Sequence, residues 1–302
     1  MAETKAQSAM EYLMTYGWAI LIIAVVLGAL FELGFFNSSA LAPKVGPGSC
    51  QVYRPEGPGT IAFESLAGTC NNELPQYVAS FNSLRFGSIS TGQSGLPVGA
   101  SSRSVFAWVY FDGNYTGPNP TSSYSMVFSY GTPYKPNQDG MSQLGIDQGL
   151  VYFDGFANDA YATNTVAILY GSWHFIGYTY SYNSPDVTLY IDNQEEPVPL
   201  SLNEPLNTSL LYSNIGYYQG YMYPWYYQGY VSNIQVYNTS LSPGEVTALY
   251  DEGIGGAPID LSNLVAWWPL NGNANDYSGN QNNGVPYNVL FTTSWTYRYT
   301  AP

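Results

Sequence analysis

The chain has 302 residues, of which 45% are hydrophobic, 17% aromatic and only 9% charged. Seven Lys and Arg residues against 21 Asp and Glu residues give a formal net charge of −14. This balance excludes nucleic acid as a partner, because binding to phosphates needs clustered cations. The 30 Tyr, 31 Gly and 20 Pro residues favour a β-rich extracellular protein, long enough to bury a sizeable core.

An apolar run near the N-terminus is the first predicted element. Twenty residues without a formal charge lie between Glu11 and Glu32, and as a helix they would extend about 30 Å, enough to cross a bilayer core. A secretory signal peptide would have a more basic start, a shorter apolar region and a cleavage site beyond it. We therefore predict a leader at 1–6 and a transmembrane or filament-core helix at 7–36, with the rest of the chain outside the cell.

The residues around the predicted processing site resemble a known family. Lys5 and Ala6 followed by Gln7, with Glu11 at the fifth position after the cut, resemble the class III signal peptide of archaeal type IV pilin precursors. The resemblance implies cleavage by a prepilin peptidase before Gln7, and a filament in which Glu11 meets the N-terminal ammonium of a neighbouring subunit. The family often has Gly before the cut and Ser third after it, where this chain has Ala6 and Ala9. An ordinary single-span anchor, with Glu11 at the lipid headgroups, is the alternative.

Several features beyond this run agree with export. Small residues and two prolines predict a short linker at 37–48. Cys50 and Cys70 should pair outside the cell, closing a loop of about twenty residues worth roughly 3 kcal/mol. Four Asn-x-Ser/Thr sequons are glycosylation candidates, although chance alone produces a few in such a chain: Asn37, Asn114, Asn207 and Asn238.

The remaining chain breaks into short alternating or apolar runs separated by Gly, Asn, Asp and Pro, which is typical of a β-sandwich. We predict strands at 104–111, 150–153, 173–180 and 187–191. One helix is predicted near the end, with Ser242 as its N-cap, a proline and a glutamate in its first turn, and Gly253 after its last residue.

These elements together resemble the LamG-like, concanavalin A-like lectin and glucanase jelly rolls. The matching pieces are the Ala-Trp strand at 107–108, the Trp-His strand at 173–174 leading to 189–192, and the strand at 229–237 before the short helix. The resemblance implies a mainly β fold, with one LamG-like jelly roll spanning residues 49–302. It says little about chemistry, because such folds host many functions.

The C-terminal tail has two interpretations. Residues 264–270, followed by an Asn-rich loop at 271–280, look like the first strand and loop of such a domain. Too few residues remain for a second copy, so we predict that 264–302 completes the first jelly roll by pairing at an open edge. A truncated second repeat is the alternative.

An aromatic-rich stretch is the candidate ligand site. Tyr and Trp combine an apolar face with a hydrogen-bonding edge, which suits stacking on sugar rings or docking on a protein surface. The alternative is that these side chains pack the core or decorate the surface. The eight candidates are Tyr217, Tyr218, Tyr221, Tyr223, Trp225, Tyr226, Tyr227 and Tyr230.

The Asn-rich loop is a candidate calcium site. Asp276, with Asn273 and Asn275, offers the oxygen ligands that Ca²⁺ takes, and calcium at loop oxygens is also what the LamG resemblance implies. The same motif is a good turn. Asp154 and Asp159 form a second, weaker candidate.

Catalysis has little support in the sequence. His174 is the only histidine and lies in a strand that matches the jelly-roll core, so we predict that it is structural and that no Ser-His-Asp or His-based zinc site exists. Glu195 and Glu196 lie in a turn rather than in the paired-carboxylate strand of a glucanase. We predict a non-enzymatic pilin-like subunit or adhesin that binds glycans or proteins. The alternative is a membrane-anchored carbohydrate-active enzyme.

Overall fold

The computed structural model describes residues 18, 20–26, 50–53, 65–68, 74–113, 124–133, 140–156, 158–162, 170–195, 200–202, 204–218, 224–296, 299–300 and 302. The chain divides into two compact units, Met1–Pro43 and Lys44–Pro302.

The first unit is described only in its helical centre. Trp18 and residues 20–26 are helical, and their large apolar side chains are 50% to 66% exposed. None of the described helices is long and apolar enough to cross a membrane. The bounds of the predicted helix at 7–36 therefore stay a prediction, and four processing residues lie outside the described residues: Lys5, Ala6, Gln7 and Glu11.

The second unit contains two antiparallel sheets that face each other. In the described residues the front sheet has nine strands, and its main path runs β12-β11-β10-β5-β17-β3-β20. Two further strands join it at its sides, β13 on β11 and β18 on β17. The bounds are β3 (Val78–Phe81), β5 (Arg103–Phe111), β10 (Trp173–Ser181), β11 (Ser184–Ile191), β12 (Gln194–Glu195), β13 (Leu200–Ser201), β17 (Gly229–Tyr237), β18 (Leu264–Trp268) and β20 (Leu290–Thr292).

The back sheet has seven strands among the described residues, in the order β19-β4-β14-β6-β7-β8-β9. Its bounds are β4 (Ser88–Ser90), β6 (Tyr124–Gly131), β7 (Met141–Asp147), β8 (Leu150–Asp154), β9 (Ala160–Tyr161), β14 (Tyr212–Ile215) and β19 (Val285–Tyr287). Two short hairpins stand apart from the sheets, formed by β1 (Cys50–Tyr53) with β2 (Ser65–Gly68) and by β15 (Tyr217–Tyr218) with β16 (Trp225–Tyr226).

The predicted mainly β sandwich is confirmed, and its four predicted strands appear as β5, β8, β10 and β11. Alternate side chains of the two sheets meet in one apolar core that includes Val109, Phe128, Tyr178 and Trp268. The chain builds this core because successive side chains of a strand point to opposite faces, so every second residue of each strand points inward.

A second apolar layer covers the outer face of the front sheet. Helix α1 (Pro243–Asp251) packs Val246 and Leu249 against Trp108 and Phe175. Its predicted cap is confirmed as a capping box, in which Ser242 N donates to the Glu245 carboxylate at 2.7 Å and Ser242 Oγ accepts from Glu245 N.

The C-terminal tail contributes strands to both sheets. In the front sheet β18 pairs with β17 and β20 pairs with β3, while β19 pairs with β4 in the back sheet. Trp267 and Trp268 are buried, and their indole N–H groups donate to Asn233 Oδ1 and to the Asn282 carbonyl, each at 2.8 Å. Each indole ring thus packs its apolar surface away from water while its N–H group keeps a hydrogen-bond partner.

Only one cysteine of the predicted disulfide lies among the described residues. Cys50 begins β1 opposite Gly68 of β2, whereas Cys70 lies outside the described residues. The disulfide therefore stays a prediction.

Candidate functional site

The structure distributes the predicted aromatic stretch over several places. Tyr227 is fully buried between the sheets, Tyr218 and Trp225 lie on the outer side of the back sheet, and Tyr230 lies on the outer side of the front sheet. Tyr217 and Tyr226 pair with each other, with ring centroids 4.9 Å apart. Tyr221 and Tyr223 lie outside the described residues. The eight residues thus do not form one recognition patch among the described positions.

An open cleft lies at the end of the front sheet, where β17 begins and β3 and β5 end. Its volume is about 400 Å³, within the usual range for small-ligand sites. The lining includes three aromatic residues, of which Phe81 also belongs to the core between the sheets. The lining residues are Ser80, Phe81, Asn82, Tyr110, Asp112, Gln228, Gly229 and Tyr230.

The aromatic wall of this cleft is set by strand register. Tyr230 pairs with Tyr110 on one side and with Ser80 on the other, so the three side chains leave the same face of the sheet. The rings of Tyr110 and Tyr230 are 5.2 Å apart, and Trp173, which pairs with Tyr110 across β10 and β5, contacts both rings. At the cleft floor Gly229 has φ +138, and a Cβ there would lie 2.0 Å from the Tyr110 carbonyl oxygen. Only glycine allows the strands to approach so closely.

Hydrogen bonds fix the polar side of the cleft. Gln228 Oε1 accepts from Ser83 N at 2.8 Å and from Ser83 Oγ at 3.0 Å, which ties the residue before β17 to the turn after β3. Asp112 N donates to the Gln228 carbonyl oxygen at 3.3 Å, while Asp112 itself is exposed. The cleft therefore presents a fixed amide and an exposed carboxylate beside its aromatic wall.

A second hollow of about 350 Å³ adjoins the cleft and shares Ser80 and Asn82 with it. Its remaining lining residues are Arg85, Asn288 and Leu290. Among the described Lys and Arg residues, Arg85 is the exposed one, because Arg103 is fully buried. The hollow beside the cleft thus carries a cation in a strongly acidic protein.

The outer face of the back sheet carries a row of polar residues. Asn214 pairs with Ser129, Ser129 with Gln143, and Gln143 with Asp154, so four neighbouring strands point polar side chains away from the core. All four residues are at most 8% exposed. This is unusual, because the outward face of a sandwich sheet is normally solvated.

A row of aromatic side chains lies beside the polar row and partly shields it from solvent. Tyr152 pairs with Tyr161, and their rings are 4.6 Å apart. Trp225 of the β15–β16 hairpin stacks on Tyr124 with a centroid separation of 4.6 Å. Ser129 Oγ donates to the Tyr217 carbonyl oxygen at 2.7 Å, which holds this hairpin against β6.

The Asp276 loop is held together by internal hydrogen bonds. One oxygen of the buried Asp276 carboxylate accepts from Trp267 N and Ser278 N, and the other accepts from Ser278 Oγ and Asn282 N, at 2.8 to 3.0 Å. Asn273 Oδ1 accepts from Asn275 N at 2.9 Å. The geometry is that of a stabilised turn, and calcium at Asp276, Asn273 and Asn275 stays a prediction.

His174 takes part in a Ser-His-Asp chain, which the sequence analysis had predicted to be absent. Ser172 Oγ lies 2.9 Å from His174 Nε2, and His174 Nδ1 lies 2.5 Å from Asp192 Oδ2. Asp192 follows β11, and its position beside β10 depends on the hairpin register, which sequence spacing does not reveal. Its other oxygen accepts from Phe175 N at 2.9 Å, so the chain also fastens the end of this hairpin.

The other predicted positions are placed as follows. Glu195, predicted to lie in a turn, is in β12 opposite Tyr190, whose Oη donates to its carboxylate at 3.4 Å, and Glu196 lies outside the described residues. Two sequon asparagines, Asn207 and Asn238, are exposed. The other two, Asn37 and Asn114, lie outside the described residues.

The model of the concanavalin A-like lectin/glucanases superfamily (Laminin_G_3) matches residues 85–247, more than half of the chain. The protein therefore belongs to this family. No curated protein matches the sequence.

Solved structures share the fold at low sequence identity. A Bacteroides ovatus protein, provisionally described as carbohydrate binding, is 13% identical with a TM-score of 0.55, covering 82% of this chain and 70% of its own. The heptameric SAP-like pentraxin of Limulus polyphemus is 14% identical with a TM-score of 0.50, covering 72% of this chain and 94% of its own.

Proposed function

We propose that the protein is a carbohydrate-binding protein and that the front-sheet cleft holds the sugar. The observation that carries this proposal is the cleft of about 400 Å³ in which Tyr110 and Tyr230 stand beside Asn82, Asp112 and Gln228. A sugar ring has apolar C–H faces and a rim of hydroxyl groups. It therefore fits a site with an aromatic face for stacking, here that of the half-buried Tyr230, and amide or carboxylate groups for hydrogen bonds.

Family membership supports this proposal without naming a ligand. The superfamily includes lectins by its description, and the Bacteroides ovatus protein of the same fold is described in similar terms. Because one fold hosts many functions, the cleft itself remains the main argument.

The test is a glycan-binding measurement on the full-length protein in detergent, first by array and then by calorimetry with the best ligand. Tyr230→Ala removes one stacking face, and we expect about a tenfold loss of affinity, since 1.4 kcal/mol corresponds to a factor of ten. Tyr182→Ala is the matched control, because Tyr182 is 61% exposed and does not line the cleft. Equal affinities of the two variants would contradict the proposal.

We also propose that the protein acts at the cell surface, as a pilin-like subunit or a single-span anchored adhesin. The pattern Lys5, Ala6, Gln7 and Glu11 supports this, as do the exposed apolar side chains of residues 20–26. Mass spectrometry of the sheared surface fraction tests it. A mature N-terminus at Gln7 would support prepilin processing. An intact N-terminus found only in the membrane fraction would instead favour the single-span anchored adhesin.

We further propose that the protein is not an enzyme, and the Ser172–His174–Asp192 chain provides the sharpest check. A hydrolytic screen on polysaccharides and on acetylated glycans should show no turnover. Turnover that Ser172→Ala abolishes would instead assign an acyl hydrolase, because that substitution removes the nucleophile of such a chain.

A further inference from the structure

An exposed apolar surface lies at one edge of the sandwich. Strand β19 is the edge strand of the back sheet, and Val285 and Tyr287 lie two positions apart on it, so they point to the same face. Pro286 between them stands opposite the core residue Ile89, so Val285 and Tyr287 point away from the core. Their side chains are 71% and 63% exposed.

Two aromatic rings extend this surface beyond the strand. The ring of the exposed Phe86 lies 5.3 Å from the ring of the half-buried Tyr226. Partial burial, and next the nearby Tyr287, raise the pKa of the Tyr226 hydroxyl, so the two tyrosines are neighbours. These contacts make one continuous surface, which we call the edge patch: Phe86, Tyr226, Val285 and Tyr287.

The backbone holds Phe86 in an unfavourable conformation. Phe86 follows the 3-10 turn Ser83–Arg85 with φ +58, in the left-handed region that a bulky residue rarely adopts. Asn288 Nδ2 donates to the Arg85 carbonyl oxygen at 2.7 Å, which fastens the β19–β20 turn to this segment. Because Phe86 is 45% exposed, packing within the subunit compensates for the strain only in part. Backbone strain of this kind concentrates at positions with a function.

The segments that build the edge patch carry no carboxylate. Residues 74–111, 205–244 and 277–302 contain no Asp or Glu, although the whole chain has 21. Two copies of a protein with a net charge of −14 repel each other, and the repulsion is smallest where these segments face each other. A cationic partner would need the acidic surface that they lack. Charge therefore favours a second copy of this chain as the occupant.

We propose that the edge patch is the contact between two copies of this chain related by a two-fold axis. Such an interface uses the same patch on both partners, and aromatic rings pack on one another in offset or edge-to-face geometry. Since a whole aromatic side chain covers about 150–250 Å², the four residues expose on the order of 400 Å². A patch of this size on each partner is enough for a weak, reversible dimer, which buries less than about 1,200 Å² in total.

Side chains rather than strand pairing carry the proposed contact. Strand β19 has only three residues, and Pro286 removes one of its backbone donors, so this edge extends a sheet poorly. The proposal is also independent of glycan binding, because the front-sheet cleft and the edge patch share no lining residue.

The experiment is sedimentation velocity on the full-length protein in detergent over a range of protein concentrations. The sedimentation coefficient of the wild type should rise with concentration. Tyr287→Asp should weaken self-association by at least about tenfold, because each dimer would bring two carboxylates together in an apolar contact. Tyr182→Asp is the matched control, since Tyr182 is 61% exposed and lies between β10 and β11, away from the β20 edge of the front sheet. It should leave self-association unchanged.

Two further measurements keep the result interpretable. Val285→Asp should weaken self-association in the same way, and urea unfolding checks that each variant is folded. Light-driven oxidative coupling of tyrosines, in a mixture of normal and isotopically labelled protein, should join Tyr287 or Tyr226 of one copy to the same region of the other. A wild type that stays monomeric would overturn the proposal. Self-association that Tyr287→Asp leaves unchanged, or cross-links formed only elsewhere, would overturn it too and assign the contact to another surface.

Discussion

Two regions on the outer faces of the sheets carry similar aromatic, amide and carboxylate side chains but differ in their exposure. On the front sheet, Tyr230 and Asp112 border an open cleft of about 400 Å³. On the back sheet, Gln143 and Asp154 are buried, with the β15–β16 hairpin held against the neighbouring strand β6. The comparison shows that an aromatic and amide composition alone does not define a recognition surface. The segment that covers it decides whether it faces solvent.

The largest expected effect is a difference in stability between the alanine variants of Tyr227 and Tyr230, two tyrosines of the same aromatic stretch. Tyr227 is fully buried, its ring contacts Phe81 and Phe111, and its hydroxyl donates to the Tyr110 carbonyl oxygen at 3.1 Å. Tyr227→Ala should lower the free energy of unfolding in urea by about 3–5 kcal/mol, the usual cost of removing a buried aromatic side chain. The same measurement on Tyr230→Ala should give a clearly smaller loss. Equal losses would mean that the cleft wall is part of the core.

The next effect concerns the unpaired amide of the back sheet. Gln143→Met replaces two unpartnered polar atoms with apolar ones of similar shape. The metal-free variant should therefore be more stable than the wild type by about 1–2 kcal/mol. Urea unfolding in the presence of a chelator measures this difference in stability. Ser129→Ala is the control, because it changes another residue of the same polar row and leaves the Gln143 amide unchanged. A destabilised Gln143→Met would show that the amide is satisfied in solution.

Local sequence signals predicted several elements of this fold well. The helix cap at Ser242 depends only on the three residues that follow Ser242 in the sequence. The strand that contains Trp108 is defined by its apolar run and by the turn that ends it. Such signals are short-range, so the sequence displays them directly.

Cross-strand neighbours were beyond sequence reasoning. Tyr110 and Tyr230 are 120 positions apart in the chain and meet only because β17 pairs with β5. Gln143 meets Asp154 because of the β7–β8 register, and a bulge between Met126 and Phe128 shifts the adjoining β6–β7 register. A one-residue shift would move each of these side chains to the other face of the sheet. The sequence alone therefore does not indicate that Gln143 is buried or that it lies opposite Asp154.

The pH dependence of stability offers a third test of the back sheet. Burial and the neighbouring Asp159 raise the folded-state pKa of Asp154, while the unfolded value is about 3.9. A raised pKa stabilises the fold at pH below about 4, and that contribution is lost as pH rises through the folded-state pKa. The melting temperature of the metal-free wild type should fall over this interval. Asp154→Asn should lack this part of the decline.

Among the described residues, Tyr152 and Asp159 are the titratable groups that face Asp154. Asp159→Asn is therefore the companion variant, and it should flatten the same part of the profile to a smaller extent. A wild-type profile with no change above pH of about 4 would indicate that the pair is solvated rather than buried.

The smallest expected effect concerns the cationic end of the front cleft. Arg85 is exposed and lines the hollow that shares Ser80 and Asn82 with the cleft. Because an exposed charge pair is worth only about 0.2–1 kcal/mol, Arg85→Gln should weaken binding of carboxylated or sulfated glycans by a few-fold and leave neutral glycans unchanged. Added salt should reduce the difference, since exposed charges are screened. Arg85→Lys is the matched control and should retain most of the preference. An equal loss for neutral and acidic glycans would instead mean that Arg85 shapes the cleft through packing of its apolar stem rather than through its charge.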